Sequence, residues 1–139
     1  MNSLSHTTWD CKYHIVFIPK NRRKTLFGKL RTKVGPIFRD LAKQKQCEIL
    51  KGKTMPDHVH MLISIPPKHA VSQIVGYIKG KSALAIMRMF LGRERNFTGE
   101  HFWARGYNVS TVGFEENQIK KYIQEQEGDD GNPDTQGSF

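Results

Sequence analysis

Between residues 9 and 18 apolar and polar positions alternate, with Trp9, Cys11, Tyr13, Ile15 and Phe17 on one side. This is the period-two pattern of a first strand, and Pro19 ends it. The period changes over residues 26–45, where Leu30, Val34, Ile37, Phe38 and Leu41 form a helical stripe opposite Arg31, Lys33, Arg39, Lys43 and Lys45. Gly35-Pro36 inside that stripe predicts a kink or a break into two helical pieces. Cys47 to Met55 reads as a second strand, Pro56-Asp57 as a turn, and the run after it as a third strand closed by Pro66-Pro67. Val71, Ile74, Val75 and Ile78 open a second helix that continues through Ala85, Ile86, Met89 and Phe90. Tyr107 to Val112 is the last strand, and Glu115 to Glu127 a short helix with acidic residues in its first turn, where the macrodipole favours them.

Strand, helix, strand, strand, helix, strand and a terminal helix spell an α/β (α+β) domain of the ferredoxin-like, split βαβ type. In that layout helices cover one face of an antiparallel sheet, and the other face is expected to stay open. The chain of 139 residues has room for one domain, placed at 1–127, and the polar residues 128–139 read as an acidic, disordered tail.

Within the third strand, His58, His60, Leu62 and Ser64 share one face, and Val59, Met61, Ile63 and Ile65 share the other. The second set is the core face. The first presents two imidazoles side by side, next to Asp57, able to offer two nitrogens to one metal ion. A mononuclear site wants a third protein ligand. Asp57, His14, His101 and a group from the terminal helix are all open at this point. On that helix Tyr122 and Gln126 stand four apart on one face, flanking the Ile119 and Ile123 stripe that would anchor it. Residue chemistry alone does not prefer Tyr122 over Tyr13, Tyr77 or Tyr107.

Charge narrows the partner. The formal net charge is +9, but seven of the thirteen acidic residues lie after residue 114, so residues 1–114 carry a net +14. Such a body attracts a polyanion, nucleic acid first. Lys20, Arg22, Arg23 and Lys24 crowd the loop after the first strand, and Lys79, Lys81 and Arg105 add further cations expected on the backbone of DNA. Lys79-Gly80-Lys81-Ser82 lacks the glycine spacing of a phosphate loop and lies inside a helix, so a charged, exposed turn is the expectation. Phe97, Phe102 and Trp103 sit among arginines and could stack on unpaired bases, but a Phe-Trp pair entering a strand belongs more often to the core. Cys11 and Cys47 form no spaced framework, which fits a reducing compartment, and no apolar run is long enough for a bilayer, so a cytoplasmic protein with no membrane partner is expected.

Several stretches together resemble one family. They are Trp9-Asp-Cys-Lys-Tyr-His-Ile-Val-Phe with its basic loop, Pro56-Asp-His-Val-His-Met-Leu, Gly76-Tyr-Ile-Lys-Gly-Lys-Ser, Phe102-Trp-Ala-Arg-Gly-Tyr, Thr111-Val-Gly and Ile119-Lys-Lys-Tyr-Ile-Gln-Glu-Gln. The chain resembles the single-tyrosine HUH transposases of the smallest bacterial and archaeal insertion sequences over nearly its whole length up to the tail. The resemblance implies a DNA transposase that cleaves and rejoins single-stranded DNA through a 5′-phosphotyrosine. It makes Tyr122 the nucleophile and His58, His60 and Gln126 ligands of Mg²⁺, with Mn²⁺ able to substitute, and Asp57 a supporting group. It also implies subterminal DNA hairpins as partners and a homodimer whose sites are completed in trans by the partner's tyrosine helix. A non-cleaving single-stranded nucleic-acid binder, or domesticated relative, is the alternative from another class. A small metal hydrolase of a soluble substrate explains the histidines but leaves the basic body unused.

Overall fold

A computed structural model describes residues 2–4, 7–91, 102–113, 115–125 and 137–139. The elements are β1 (Asn2–Leu4), β2 (Thr7–Trp9), β3 (Lys12–Phe17), a 3-10 turn at Asn21–Arg23, α1 (Lys24–Leu30), α2 (Gly35–Gln44), β4 (Glu48–Met55), β5 (His58–Ser64), α3 (Val71–Leu91), β6 (Asn108–Val112) and α4 (Glu116–Glu125). The expected first strand is divided: β1 and β2 make a separate antiparallel hairpin, and only β3 enters the main sheet. The first helical stripe breaks where Gly35-Pro36 predicts it. Pro36 falls in the first turn of α2, where a missing N–H leaves no helical bond unmade.

The main sheet has the order β4-β5-β3-β6 with every pair antiparallel, which is the ferredoxin-like arrangement. Strand periodicity sends Ile15 and Phe17 of β3 and Val59, Met61 and Ile63 of β5 to one face, where they pack with Phe38 and Leu41 of α2 and Ile74, Ile78 and Ile86 of α3. Phe102 and Trp103 close this core, their rings set edge-on to Phe27 and, for Trp103, to Phe17. They are therefore core residues and offer no stacking surface to a base. Phe97 lies outside the described residues.

The other face is not open. α4 lies across it, burying Ile123 against Leu62 and Val112, with Leu50 and Ile119 at the margin. The expectation of an exposed histidine face fails because the apolar stripe of α4 finds Leu62 and Val112, two apolar residues on the same face of the sheet as the histidines.

The described end of the chain also departs from expectation. Gly137, Ser138 and Phe139, assigned by composition to a disordered tail, run beside the outer edge of β4. Gly52 N–H donates to Phe139 O at 2.6 Å, Phe139 N–H to Gly52 O at 2.8 Å and Thr54 N–H to Gly137 O at 2.9 Å. The Phe139 ring lies over Gly52 and Gly35, 5.4 Å from the Phe38 ring. Gly137 takes φ +72°, and a Cβ there would strike Thr54. An apolar terminal residue and an unpaired sheet edge explain the docking; residues 128–136 lie outside the described residues. No described helix is long and apolar enough to cross a membrane.

Candidate active site

β5 presents His58 and His60 on the face under α4, their ring centroids 5.3 Å apart. The register places His60 opposite Val16, so His14, two residues back on β3, shares its face, with ring centroids 5.6 Å apart. Tyr122 of α4 lies over both, its ring 6.1 Å from His60 and 6.5 Å from His14, near-perpendicular to each. Tyr122 is 54% exposed while His60 is 1% exposed. A phenol reachable from solvent thus stands on one covered and one partly covered imidazole of the same chain.

The histidines differ electrostatically. Burial, reinforced by the charges of His58, His14 and Lys53, pushes the His60 imidazolium down to about 3. Burial also lowers His14. Both rings are neutral near pH 7, and each has a buried Nε2 with no hydrogen-bond partner. His58 Nδ1 pairs with Asp57 Oδ1 at 2.8 Å, and that bond, helped by the charge of His58 and a smaller contribution from Lys24, outweighs the opposing effect of burial and holds the Asp57 carboxyl below its ordinary range. A carboxylate on Nδ1 favours the tautomer with Nε2 as the free lone pair, the usual arrangement behind a metal-ligating histidine. Orphaned imidazole nitrogens beside a carboxylate-oriented histidine suit a divalent cation. Among the described residues no three His, Cys, Asp or Glu side chains converge as a metal cluster. Gln126, the expected third ligand, and His101 lie outside the described residues.

Lys53 is the residue that sequence reasoning passed over. A bulge between Ile49 and Lys51 shifts the β4 register by one, so Lys53 faces His60 rather than the core. Its side chain is fully buried, and its Nζ donates to the Gln124 carbonyl of α4 at 3.1 Å. No pattern in the sequence marks the bulge.

The cations expected on DNA separate into two groups. Lys20, Arg22, Arg23 and Lys24 follow β3 at the end of the sheet where His58 heads β5, and the charge of Lys24 reaches Asp57. Segment 102–104 runs alongside: Lys20 N–H donates to Phe102 O, and Ala104 N–H to Ile18 O, both at 2.8 Å. This brings exposed Arg105 to the same end, where it lines a groove with Ile18, Tyr107 and Asn108. Lys81 is exposed on α3. Lys79 is instead drawn into the fold, donating to Ala104 O at 2.8 Å and Gly106 O at 2.9 Å, and desolvation lowers its pKa. Ser82, one turn on, is buried and accepts from Trp103 Nε1 at 3.0 Å. Residues 79–82 clamp the 102–106 segment rather than forming an exposed charged turn.

A family model described as IS200-like transposase matches residues 7–126. The chain belongs to the IS200-like transposase family. It is 47% identical over 124 residues to the transposase for insertion sequence element IS200 of Salmonella typhimurium, covering 89% of this chain and 82% of that one. It is 33% identical over 121 residues to the ISDra2 transposase TnpA of Deinococcus radiodurans, covering 85% of each. The fold of this IS200-like transposase is shared with a REP-associated tyrosine transposase solved bound to a REP hairpin, at TM-score 0.60 and 14% identity, covering 90% of this chain and 72% of that one.

Proposed function

We propose that this transposase cleaves and rejoins single-stranded DNA with Tyr122 as its nucleophile. The observation that carries the reading is the half-exposed Tyr122 ring standing over the buried His60 ring and the partly buried His14 ring. Tyr122 Oη attacks the scissile phosphorus, the bond to the 3′ oxygen breaks, and the products are a 5′-phosphotyrosine and a strand ending in 3′-OH. Since the new ester conserves the phosphodiester bond, a second 3′-OH can attack it, release Tyr122 and join strands without ATP.

His58, His60 and Gln126 would hold Mg²⁺ or Mn²⁺, and Asp57 would orient His58. Such an ion supplies charge stabilisation at the scissile phosphate and lowers the demand on a phenol whose ordinary pKa is about 10. The cations of the 20–24 loop, of which Arg22 and Lys24 are exposed and Lys20 and Arg23 partly buried, would hold the DNA backbone beside the site with Arg105 and Lys81. A hairpin near each end of the mobile element is the proposed recognition feature; a REP hairpin bound to a protein of the same fold supports it. The reading places the protein in the cytoplasm, with its DNA.

The proposed assembly is a homodimer in which the tyrosine helices exchange. In the single chain α4 docks over its own histidines, so exchange requires each α4 to leave its own sheet for the same position on the partner. Mixing Tyr122→Phe chains with His60→Ala chains should then restore cleavage; lasting inactivity of the mixture would assign each tyrosine to its own histidines.

A labelled single-stranded oligonucleotide carrying an element end tests the chemistry on a denaturing gel. The wild-type chain should form a covalent adduct that chelator abolishes, Tyr122→Phe none, and His60→Ala at least a hundredfold less. An adduct formed by Tyr122→Phe would overturn the nucleophile. Tight binding with no adduct on any hairpin-flanked strand would favour the non-cleaving binder.

A further inference from the structure

α4 is fastened to the sheet at three points along its length. At its first turn Glu116 Oε1 meets Lys12 Nζ of β3 at 2.7 Å. In the middle Ile123 is buried against Leu62 and Val112. At its last turn the Gln124 carbonyl accepts from Lys53 Nζ of β4. Because β5 lies between β3 and β4, a helix pinned at one end to β3 and at the other to β4 must cross β5, the strand of His58 and His60. We propose that Lys53 is a positioning residue for the reaction, its buried ammonium holding the last turn of α4 so that Tyr122 is presented to the histidine pair.

The chemistry of the contact favours this role over generic packing. Carbonyls in the last turn of a helix have no partner within the helix and form the negative end of its dipole, where a cation is stabilised. A lysine is almost never fully buried unless something compensates its charge, and a core strand would tolerate a leucine or methionine more readily. The helix it holds buries one residue completely, Ile123, and carries a half-exposed Tyr122. A short helix with so small an apolar contact slides or frays easily. A fixed donor two residues from the tyrosine sets both its distance along the sheet and its rotation.

The proposal rests on Tyr122 acting as nucleophile, and its test has one arm that does not. In the full chain, with an element end and Mg²⁺ or Mn²⁺, Lys53→Met should slow single-turnover adduct formation at saturating DNA at least tenfold while changing DNA affinity less than about threefold. Lys53→Arg, which keeps a long cationic donor, should recover part of the rate. A folded Lys53→Met chain with the wild-type rate overturns the proposal, as does a Lys53→Arg chain no faster than Lys53→Met. Should Lys53→Met fail to fold, the second arm decides by amine acylation of chains that keep Lys53. Lys53 should resist acylation in the wild-type chain and become reactive when Ile123→Asp lifts α4; equal reactivity in the two chains overturns the contact. That arm reads out even if no DNA adduct forms, so it separates failure of the positioning role from failure of the nucleophile.

Discussion

Gly52 is predicted to be required only while the chain's end is docked. A Cβ at Gly52 would meet three Phe139 ring atoms, each well inside 3.0 Å, and these are its three nearest neighbours. Gly52→Ala therefore forces the ring out, and its cost is capped by what docking is worth, since the segment can simply leave. Partial burial of a phenyl ring contributes about 1–2 kcal/mol. The three backbone hydrogen bonds of residues 137–139 contribute roughly 1 kcal/mol each. Ordering three residues takes back about 3–4 kcal/mol. Docking is then worth about 1 kcal/mol net. Replacing a strand glycine by alanine gains about 0.5–1 kcal/mol where there is space. In the full chain these nearly cancel; in a chain lacking residues 137–139 only the gain survives. Urea unfolding followed by the fluorescence of buried Trp103 should show Gly52→Ala near neutral in the first background and stabilising by about 0.5–1 kcal/mol in the second. A shift of the same sign and size in both backgrounds would refute the slot. Amide exchange supplies a second reading, because Gly52 and Thr54 N–H should lose protection in the truncated chain.

The remaining predictions concern the supports of the site. Ser82→Ala leaves the buried indole N–H of Trp103 without its acceptor and should destabilise the chain by about 1–2 kcal/mol. Trp103→Phe should lower that cost in a double-mutant cycle, and strict additivity would count against the contact. The Lys12 and Lys120 partners of Glu116 hold its carboxyl below the ordinary value of 4.5. A folded-state pKa below the unfolded one gives stability that is present above about pH 4.5 and lost as pH falls through the folded value. Wild-type unfolding midpoints should therefore drop on acidification by more than those of Glu116→Gln, by less than about 1 kcal/mol because the pair is partly exposed; parallel curves would remove the bridge from the account.

Local periodicity determined a good deal. Alternation along residues 12–17 and 58–65 assigned both core faces and put His58 and His60 on one side, because side-chain direction in a strand depends only on parity. The 3.6-residue period of 119–126 likewise identified the anchoring face of α4, and Ile123 is buried as that pattern requires. The order of elements sufficed for the sheet, since a split βαβ chain with short connections has few other solutions. Family membership also rested on local stretches, each legible as a string of residues.

What only the tertiary structure decided are matters of register and of meetings between distant segments. The bulge beside Leu50 turns Lys53 toward His60; a single extra residue inverts the faces of everything after it, and no residue type announces it. Lys79 was an exposed cation by position until the 102–106 segment presented two carbonyls to it. Phe139 was a tail residue until Gly52 and Gly35 left room for its ring. The histidine face was an open surface until α4 folded over it. The last three cases turn on a partner more than twenty residues away, and the energy that selects such a partner exists only once the sheet has assembled.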